Sequence, residues 1–544
     1  MTKLSSNSFI KKKMFFKNFN LRETYVFYLI LILYFFFNLY QLRFNHWSSM
    51  MDHDFIILYN SLLISSGLEQ EGRDHPAFTT FLLHGYIYKI ISIFQSNFST
   101  NIDEILDSNK MNETFQFYFQ VSRMINYFIN LFLFLSFLKL IQLLKIKREI
   151  IFVACIIFLI SNWFSLSFFS LRSENLSLLF VMLSIIFVIK TDKIEIKNYF
   201  FAGIFFLLSM FTKIQVIFFI TFLVFFITTN INNEKRISNQ YLFSRININY
   251  LIYSLILIIF CYLVFQLKIQ EFVRFEKNKY LDLFVFVLSF MFIGIYFFIT
   301  SKFKIYLLKE KFVLLSIVLH GFIFGFLIIL LFDFLNIIPV NDFIYLRITN
   351  PIHYLSEMEA MYANGLININ FILTTILEIL SSYSESLMEL FLLLTLIVLT
   401  LKKYFYNKDF SVSYLLSLLA IFLLITFINS LRPSLNYHLY YTFCYLIVLA
   451  VSLNYFNLRH IRFIPLIFVF IFLFNNDLLK SYFTSTGDRY VEIFERKNLM
   501  IGICKEFRFQ IKSEQFDSTV SYLQYWHNKF DNEKINSLCK ELEI

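Results

Sequence analysis

Asp52-His53-Asp54 sets two carboxylates one residue apart, and Asp74-His75-Pro76 follows on the same stretch of chain. A carboxylate can take a proton from a hydroxyl or amine when burial or a neighbouring like charge raises its pKa, and each of these acids supplies such a charge to the other. Arg172, Lys213 and Arg432 are each expected at a helix end, where a cation can stabilise a departing phosphate. The chemistry these residue types allow is transfer of a group from a phosphate ester to an acceptor nucleophile, with Asp74, His75, Glu174 and His438 as further substrate-facing candidates. Asp52, Asp54 and His75 are adequate oxygen and nitrogen ligands for a divalent metal, but their spacing is not a metal signature. No nucleotide-binding fingerprint is visible.

Each candidate also has a plainer reading. Asp52 and Asp54 can be solvated loop acids with Asp54 capping a helix, and Lys213 can snorkel from a helix end. Arg172 and Glu174 can form an interfacial pair, and His75 can close a turn before Pro76. His353, Glu357 and Glu359 read as surface residues of a second long stretch, 333–385, and His438 stands at the mouth of a late apolar run.

The elements that must position these residues are set by composition. The 544 residues are 58% hydrophobic and 21% aromatic, with 76 Phe and only 16% charged residues, far more apolar surface than one soluble core hides. The expected solvent is lipid. The formal charge of +10 falls in short clusters between apolar runs rather than on one stripe, which argues against nucleic acid as a partner. Lys11, Lys12, Lys13, Lys17 and Arg22 precede the run Tyr25 to Leu42, with no small-residue cleavage site after it, so it reads as a retained signal-anchor. Further runs lie near 117–138, 150–168, 174–189, 199–229, 249–266, 281–300, 312–332, 386–401, 411–429, 439–456 and 463–474.

Basic loops alternate along this series as the rule for short cytoplasmic loops requires, placing the N-terminus inside. The run 199–229 would be about 46 Å long as one helix at ~1.5 Å per residue, too long for a ~30 Å core, so a turn is expected at Lys213. The expected fold is an all-α polytopic membrane protein of about thirteen spans. Residues 1–474 form its membrane domain, with a first outward loop over 43–115, and 475–544 form a small soluble outward domain. Within the loop, Phe55, Leu58, Leu62 and Ser65 share one helical face with Gly67 as a stop, and a second segment runs from Pro76 to about Phe94. Both are expected as amphipathic helices at the membrane surface.

The acid-rich start of this loop, the glycine at position 67 and Asp74-His75-Pro76 resemble the integral-membrane glycosyltransferases of the C-type fold, the superfamily of protein O-mannosyltransferases and lipid A aminoarabinose transferases. Leu171-Arg172-Ser173-Glu174 and the stretch from Gly203 to Lys213 are similar to that superfamily's acidic helix start and its glycine-to-lysine hairpin. The resemblance covers roughly residues 25–230. The chain departs from it at His53, where many relatives have Glu beside Asp, and at Ala77, where a second Pro is common. It implies a polyprenyl-phosphate-linked sugar as donor, a glycan, lipid or protein as acceptor, Asp52 or Asp54 as base, and a multi-pass protein of the bacterial inner (plasma) membrane with an outward C-terminus.

Other classes remain in view. An outward-facing polysaccharide polymerase or O-antigen ligase usually carries its large loop later in the chain, and a transporter or flippase favours internal repeats, of which none is found. Cys155, Cys261 and Cys444 lie within apolar runs and read as core residues, whereas Cys504 and Cys539 in the outward segment could pair.

Overall fold

A computed structural model describes residues 31–36, 54–70, 77–95, 97–108, 110–161, 171–189, 196–230, 306–340 and 438–456, with residues 29, 38–39, 164, 167–168, 344–345, 398, 415, 417–423 and 425 as shorter pieces. The spans expected near 249–266, 281–300 and 463–474, and the segment 475–544 with Cys504 and Cys539, lie outside the described residues. Among the described residues the fold is all-helical, with no strands.

The chain divides into two compact units, 1–45 and 46–544. The first is helical over 31–36 and presents Leu29, Ile32, Leu33 and Phe36 outward.

In the second unit, helix α1 spans Asp54–Ser65 and α2 spans Phe78–Phe94, both within the expected first loop. Helix α1 ends in a Schellman turn. Leu68 N–H donates to Leu63 O at 2.9 Å and Gly67 N–H to Ile64 O at 3.0 Å, with Gly67 at φ 77°. A residue with a Cβ would be strained there. The surface placement of α1 needs correction. Ile56, Ile57, Leu58, Tyr59, Leu62, Leu63 and Ile64 are all buried, because the face opposite Leu58 and Leu62 is itself apolar. It is an enclosed helix rather than an amphipathic one.

Short helix α3, Ile102–Asp107, is capped by Asn101, whose side chain accepts from Asp103 N–H at 3.1 Å. Helix α4, Met111–Leu143, is longer than its apolar core and includes a candidate membrane span, Glu113–Leu143. Met124, Phe128, Phe132 and Leu135 form its exposed stripe, while Tyr118, Ser122, Asn126 and Asn130 recur every fourth residue on a buried face. Helix α5, Arg148–Ile160, is shorter than the expected 150–168, because Ser161 is extended and its hydroxyl accepts from Phe164 N–H at 3.4 Å.

Helices α6, Ser173–Ile189, and α7, Ile196–Thr212, are followed by a 3-10 turn at Ile214–Phe219 and helix α8, Ile220–Asn230. The break thus falls at Lys213, and α8 packs along α6. Helix α9, Tyr306–Phe334, contains the second candidate span, Leu314–Phe334, and α10 spans His438–Phe456. Both candidate spans are long and apolar enough to cross a membrane.

Helices α7 and α9 run parallel and touch backbone to backbone. A Cβ on Gly203 would stand 1.8 Å from Val318 O, and one on Gly321 would stand 1.9 Å from Phe200 O. Gly321 and Gly325 form a G-x-x-x-G step, the small-residue pattern by which helices approach closely without a hydrophobic driving force.

Candidate functional site

Lys213 Nζ lies 2.9 Å from Glu174 Oε1, and the two side chains are only 6% and 2% exposed. Local sequence explains the meeting. Glu174 is in the first turn of α6, where the helix dipole favours a negative charge, and Lys213 follows the last turn of α7, where it favours a positive one. Lys213 N–H donates to Ser209 O at 2.8 Å to finish α7, and Lys213 O accepts from Val216 N–H at 3.2 Å to begin the 3-10 turn. Because the start of α6 meets the end of α7, these helices are antiparallel neighbours.

Polar side chains surround the pair. Arg172, two residues before Glu174, is buried, and the Ser177 hydroxyl donates to Glu174 O at 2.8 Å. Ser177 also hydrogen-bonds the Tyr440 hydroxyl, bringing the first turn of α10 to this end of the bundle. Asn175 Nδ2 donates to Asn126 Oδ1 at 3.3 Å, while Asn126 and Asn130 both donate to Ser167 O, at 2.6 and 2.8 Å. A buried amide seam therefore joins α4 to the turn that carries Glu174. Charged and amide groups in an apolar bundle need such partners, since each unsatisfied one would cost free energy.

The first loop reaches the same end. Thr79 Oγ1 donates to Leu208 O at 3.3 Å, and the Phe78 and Phe211 rings are 6.1 Å apart, so the start of α2 packs on the last turn of α7. The end of α9 is there too, with Phe326 6.2 Å from Phe211 and Tyr345 6.3 Å from it. At that end of α9, Asp333 is buried, accepting from the Tyr345 hydroxyl at 3.0 Å and from Val340 N–H at 3.2 Å. The opposite end of the bundle holds the basic turn with Lys145, Lys147 and Arg148, where Lys147 N–H donates to Asn454 Oδ1 at 3.0 Å.

Of the residues expected to act together, Glu174 and Lys213 are in direct contact, and Arg172 is buried two residues before Glu174. Asp54 begins α1 and His438 begins α10, but their side chains, with the whole of Asp52, Asp74, His75 and Arg432, lie outside the described residues. Among the described residues no group of three or more His, Cys, Asp or Glu converges on a metal position. Cys155 and Cys444 are buried free thiols.

Several functional-looking groups escaped sequence reasoning. His84 is enclosed between α2 and α4, its Nδ1 2.8 Å from Thr80 O, and burial lowers its pKa to about 4. Its neighbour Tyr88 hydrogen-bonds Ser122, and its ring lies 4.7 Å from that of Tyr118 at an interplanar angle of 43°. Arg123 is buried with its guanidinium 4.7 Å from the Phe119 ring. The fourfold spacing of Tyr118, Ser122, Asn126 and Asn130 was the signal that could have found the buried polar stripe.

Comparison with protein-family models, with curated proteins and with solved structures finds no match to this chain.

Proposed function

We propose that this chain is a polytopic membrane glycosyltransferase that moves a sugar from a polyprenyl-phosphate donor to a hydroxyl or amine acceptor at the outer face of the membrane. The observation that carries the reading is the buried Glu174–Lys213 pair at the bundle end on which the acidic loop's helix α2 packs. Arg172 and Lys213 are both buried cations near the start of α6 and the end of α7, and cations so placed suit the negative charge of a phosphodiester. Glu174 then serves to hold Lys213 in place, and Lys213 and Arg172 face the donor phosphate. Arg432 is the third clamp candidate.

Asp52 or Asp54 takes the acceptor proton, the acceptor oxygen or nitrogen bonds to the anomeric carbon, and the bond from that carbon to the phosphate oxygen breaks. Polyprenyl phosphate leaves with the electron pair. Asp74, His75 and His438 are proposed to contact sugar or acceptor, and Asp52, Asp54 and His75 are the residues that would hold a divalent metal. The reading includes about thirteen spans, a cytoplasmic N-terminus and an outward C-terminal domain, as the alternation of basic loops supports.

The test is to incubate the purified full chain in lipid bilayers with a panel of polyprenyl-phosphate sugars and follow polyprenyl phosphate. Release from at least one donor, dependent on added acceptor, is expected. Release from none, with the protein folded, would remove the assignment.

A further inference from the structure

Helix α9 stops in a Schellman turn. Ile337 N–H donates to Phe332 O at 2.8 Å and Asn336 N–H to Asp333 O at 2.9 Å, with Asn336 at φ 53°, a conformation that asparagine tolerates better than most residues. The chain does not leave for solvent after this turn, since Ile338, Val340, Ile344 and Tyr345 are all buried. The Asp333 side chain accounts for the return. One carboxylate oxygen accepts from Val340 N–H at 3.2 Å and the other from the Tyr345 hydroxyl at 3.0 Å, so a single buried acid ties two points of the returning chain to the end of α9. A buried carboxyl group needs such donors, because its desolvation would otherwise go uncompensated.

Tyr345 is held where its ring meets α7. Its centroid lies 6.3 Å from that of Phe211 at 84° and 5.8 Å from that of Phe326 at 80°, both edge-on, an arrangement that aromatic quadrupoles favour. Phe211 and Phe326 are themselves 6.2 Å apart, so the three rings form one cluster. Phe211 is in the last turn of α7, two residues before Lys213, whose backbone leaves the helix at φ −159°. What packs against Phe211 therefore bears on the turn at Lys213. On its other side the returning segment is joined to the first loop, because the Tyr86 hydroxyl donates to Ile337 O at 2.9 Å.

We propose that Asp333 is a positioning residue for the site at Lys213: through Tyr345 it fixes the Phe211 ring, and with it the turn from which the Lys213 ammonium reaches Glu174 and the donor phosphate. The role at the phosphate rests on the glycosyltransferase reading, whereas the clasp of Asp333, Tyr345 and Phe211 does not. A carboxylate that served only to close α9 would need Val340 N–H alone. The second oxygen, on the Tyr345 hydroxyl, carries the position of α9 across to α7.

The experiment uses the full chain in bilayer nanodiscs, as wild type, Asp333→Asn, Tyr345→Phe and the double variant, at a temperature well below every unfolding midpoint. Tyr345→Phe keeps the ring and removes only the hydroxyl, so it reads the clasp even where Asp333→Asn fails to fold. Hydrogen exchange is followed at the Lys213 and Val216 amides, which close α7 and open the 3-10 turn, and binding of tritiated polyprenyl phosphate is counted against empty nanodiscs. Either single variant should speed exchange at both amides and weaken polyprenyl phosphate binding by roughly tenfold, and the double variant should do no more than either, since the two groups act through one hydrogen bond. Unchanged exchange at both amides in Tyr345→Phe would overturn the positioning role. Faster exchange with binding as tight as in the wild type would confine Asp333 to the fold and overturn it as well. Faster exchange in the variants of a chain whose wild type binds no polyprenyl phosphate would sustain the clasp and count against the glycosyltransferase reading alone.

Discussion

Glu174 Oε1 stands 2.9 Å from Lys213 Nζ, so one charge from the start of α6 and one from the end of α7 close this end of the bundle. Removing either charge breaks a buried ion pair, which typically costs about 3–5 kcal/mol. Lys213→Met and Glu174→Gln should each lower the midpoint of thermal unfolding markedly. The paired variant Glu174→Leu with Lys213→Met should regain most of that loss, because an apolar pair of similar volume is often neutral. If Lys213 meets the donor phosphate, the stable paired variant should still fail to use lipid-linked sugar. Donor use restored along with stability would make the pair purely structural.

The contact between α7 and α9 leads to an ordering of glycine variants. Gly203→Ala and Gly321→Ala would drive a methyl group into backbone carbonyls at 1.8 and 1.9 Å, whereas Gly325→Ala would meet Leu207 Cδ2 at 2.9 Å, a side-chain atom that can move. Overpacking typically costs ~1–3 kcal/mol, and more where backbone must shift. Unfolding midpoints should fall in the order Gly325→Ala, then Gly203→Ala and Gly321→Ala as the most damaging. Equal midpoints for all three would mean the helices are farther apart.

The local punctuation of this fold was readable from sequence, and its enclosure was not. Gly67 and Lys213 mark a helix stop and a helix break because each interrupts an apolar run, and the chain ends or turns its helices there. Glu174 and Lys213 were visible as candidates, but nothing in their spacing said that they meet, since antiparallel packing of α6 on α7 decides that. Helix α1 was misjudged as a surface helix because Phe55, Leu58, Leu62 and Ser65 were counted on one face while Ile56, Ile57, Tyr59, Leu63 and Ile64 filled the others. His84, a single histidine among apolar residues, carries no pattern at all.

His84 makes the first loop acid-sensitive. Its ordinary pKa of 6.5 falls to about 4 because burial disfavours the imidazolium, an effect that exceeds the opposing help of the Thr80 and Ser122 carbonyls. Above pH 6.5 the ring is neutral whether the chain is folded or not, so nothing is lost. As pH falls from there the unfolded chain gains a proton that the folded one refuses, and stability drops until about pH 4, by up to about 3 kcal/mol. Chemical denaturation at stepped pH should show this fall in the wild type and a shallower one in His84→Gln. Parallel curves would locate the acid sensitivity elsewhere.

The orientation can be read from exposed positions at the two ends of α4. In a background without native cysteines, Asp103→Cys should react with a membrane-impermeant maleimide added to cells whose outer barrier is removed. Lys145→Cys should react only after permeabilisation. Both positions are exposed, so access is not limited by packing. The reverse pattern would turn the candidate site to the cytoplasm.

The most direct measurement is release of polyprenyl phosphate by the wild type, Asp52→Asn and Asp54→Asn in one bilayer assay with a lipid-linked sugar and its acceptor. The account predicts turnover by the wild type and its loss by at least ~100-fold in one of the two variants, the scale of a removed general base, with both variants inserted and folded as before. Wild-type turnover in both variants, or no release from any donor by the wild type, would contradict it.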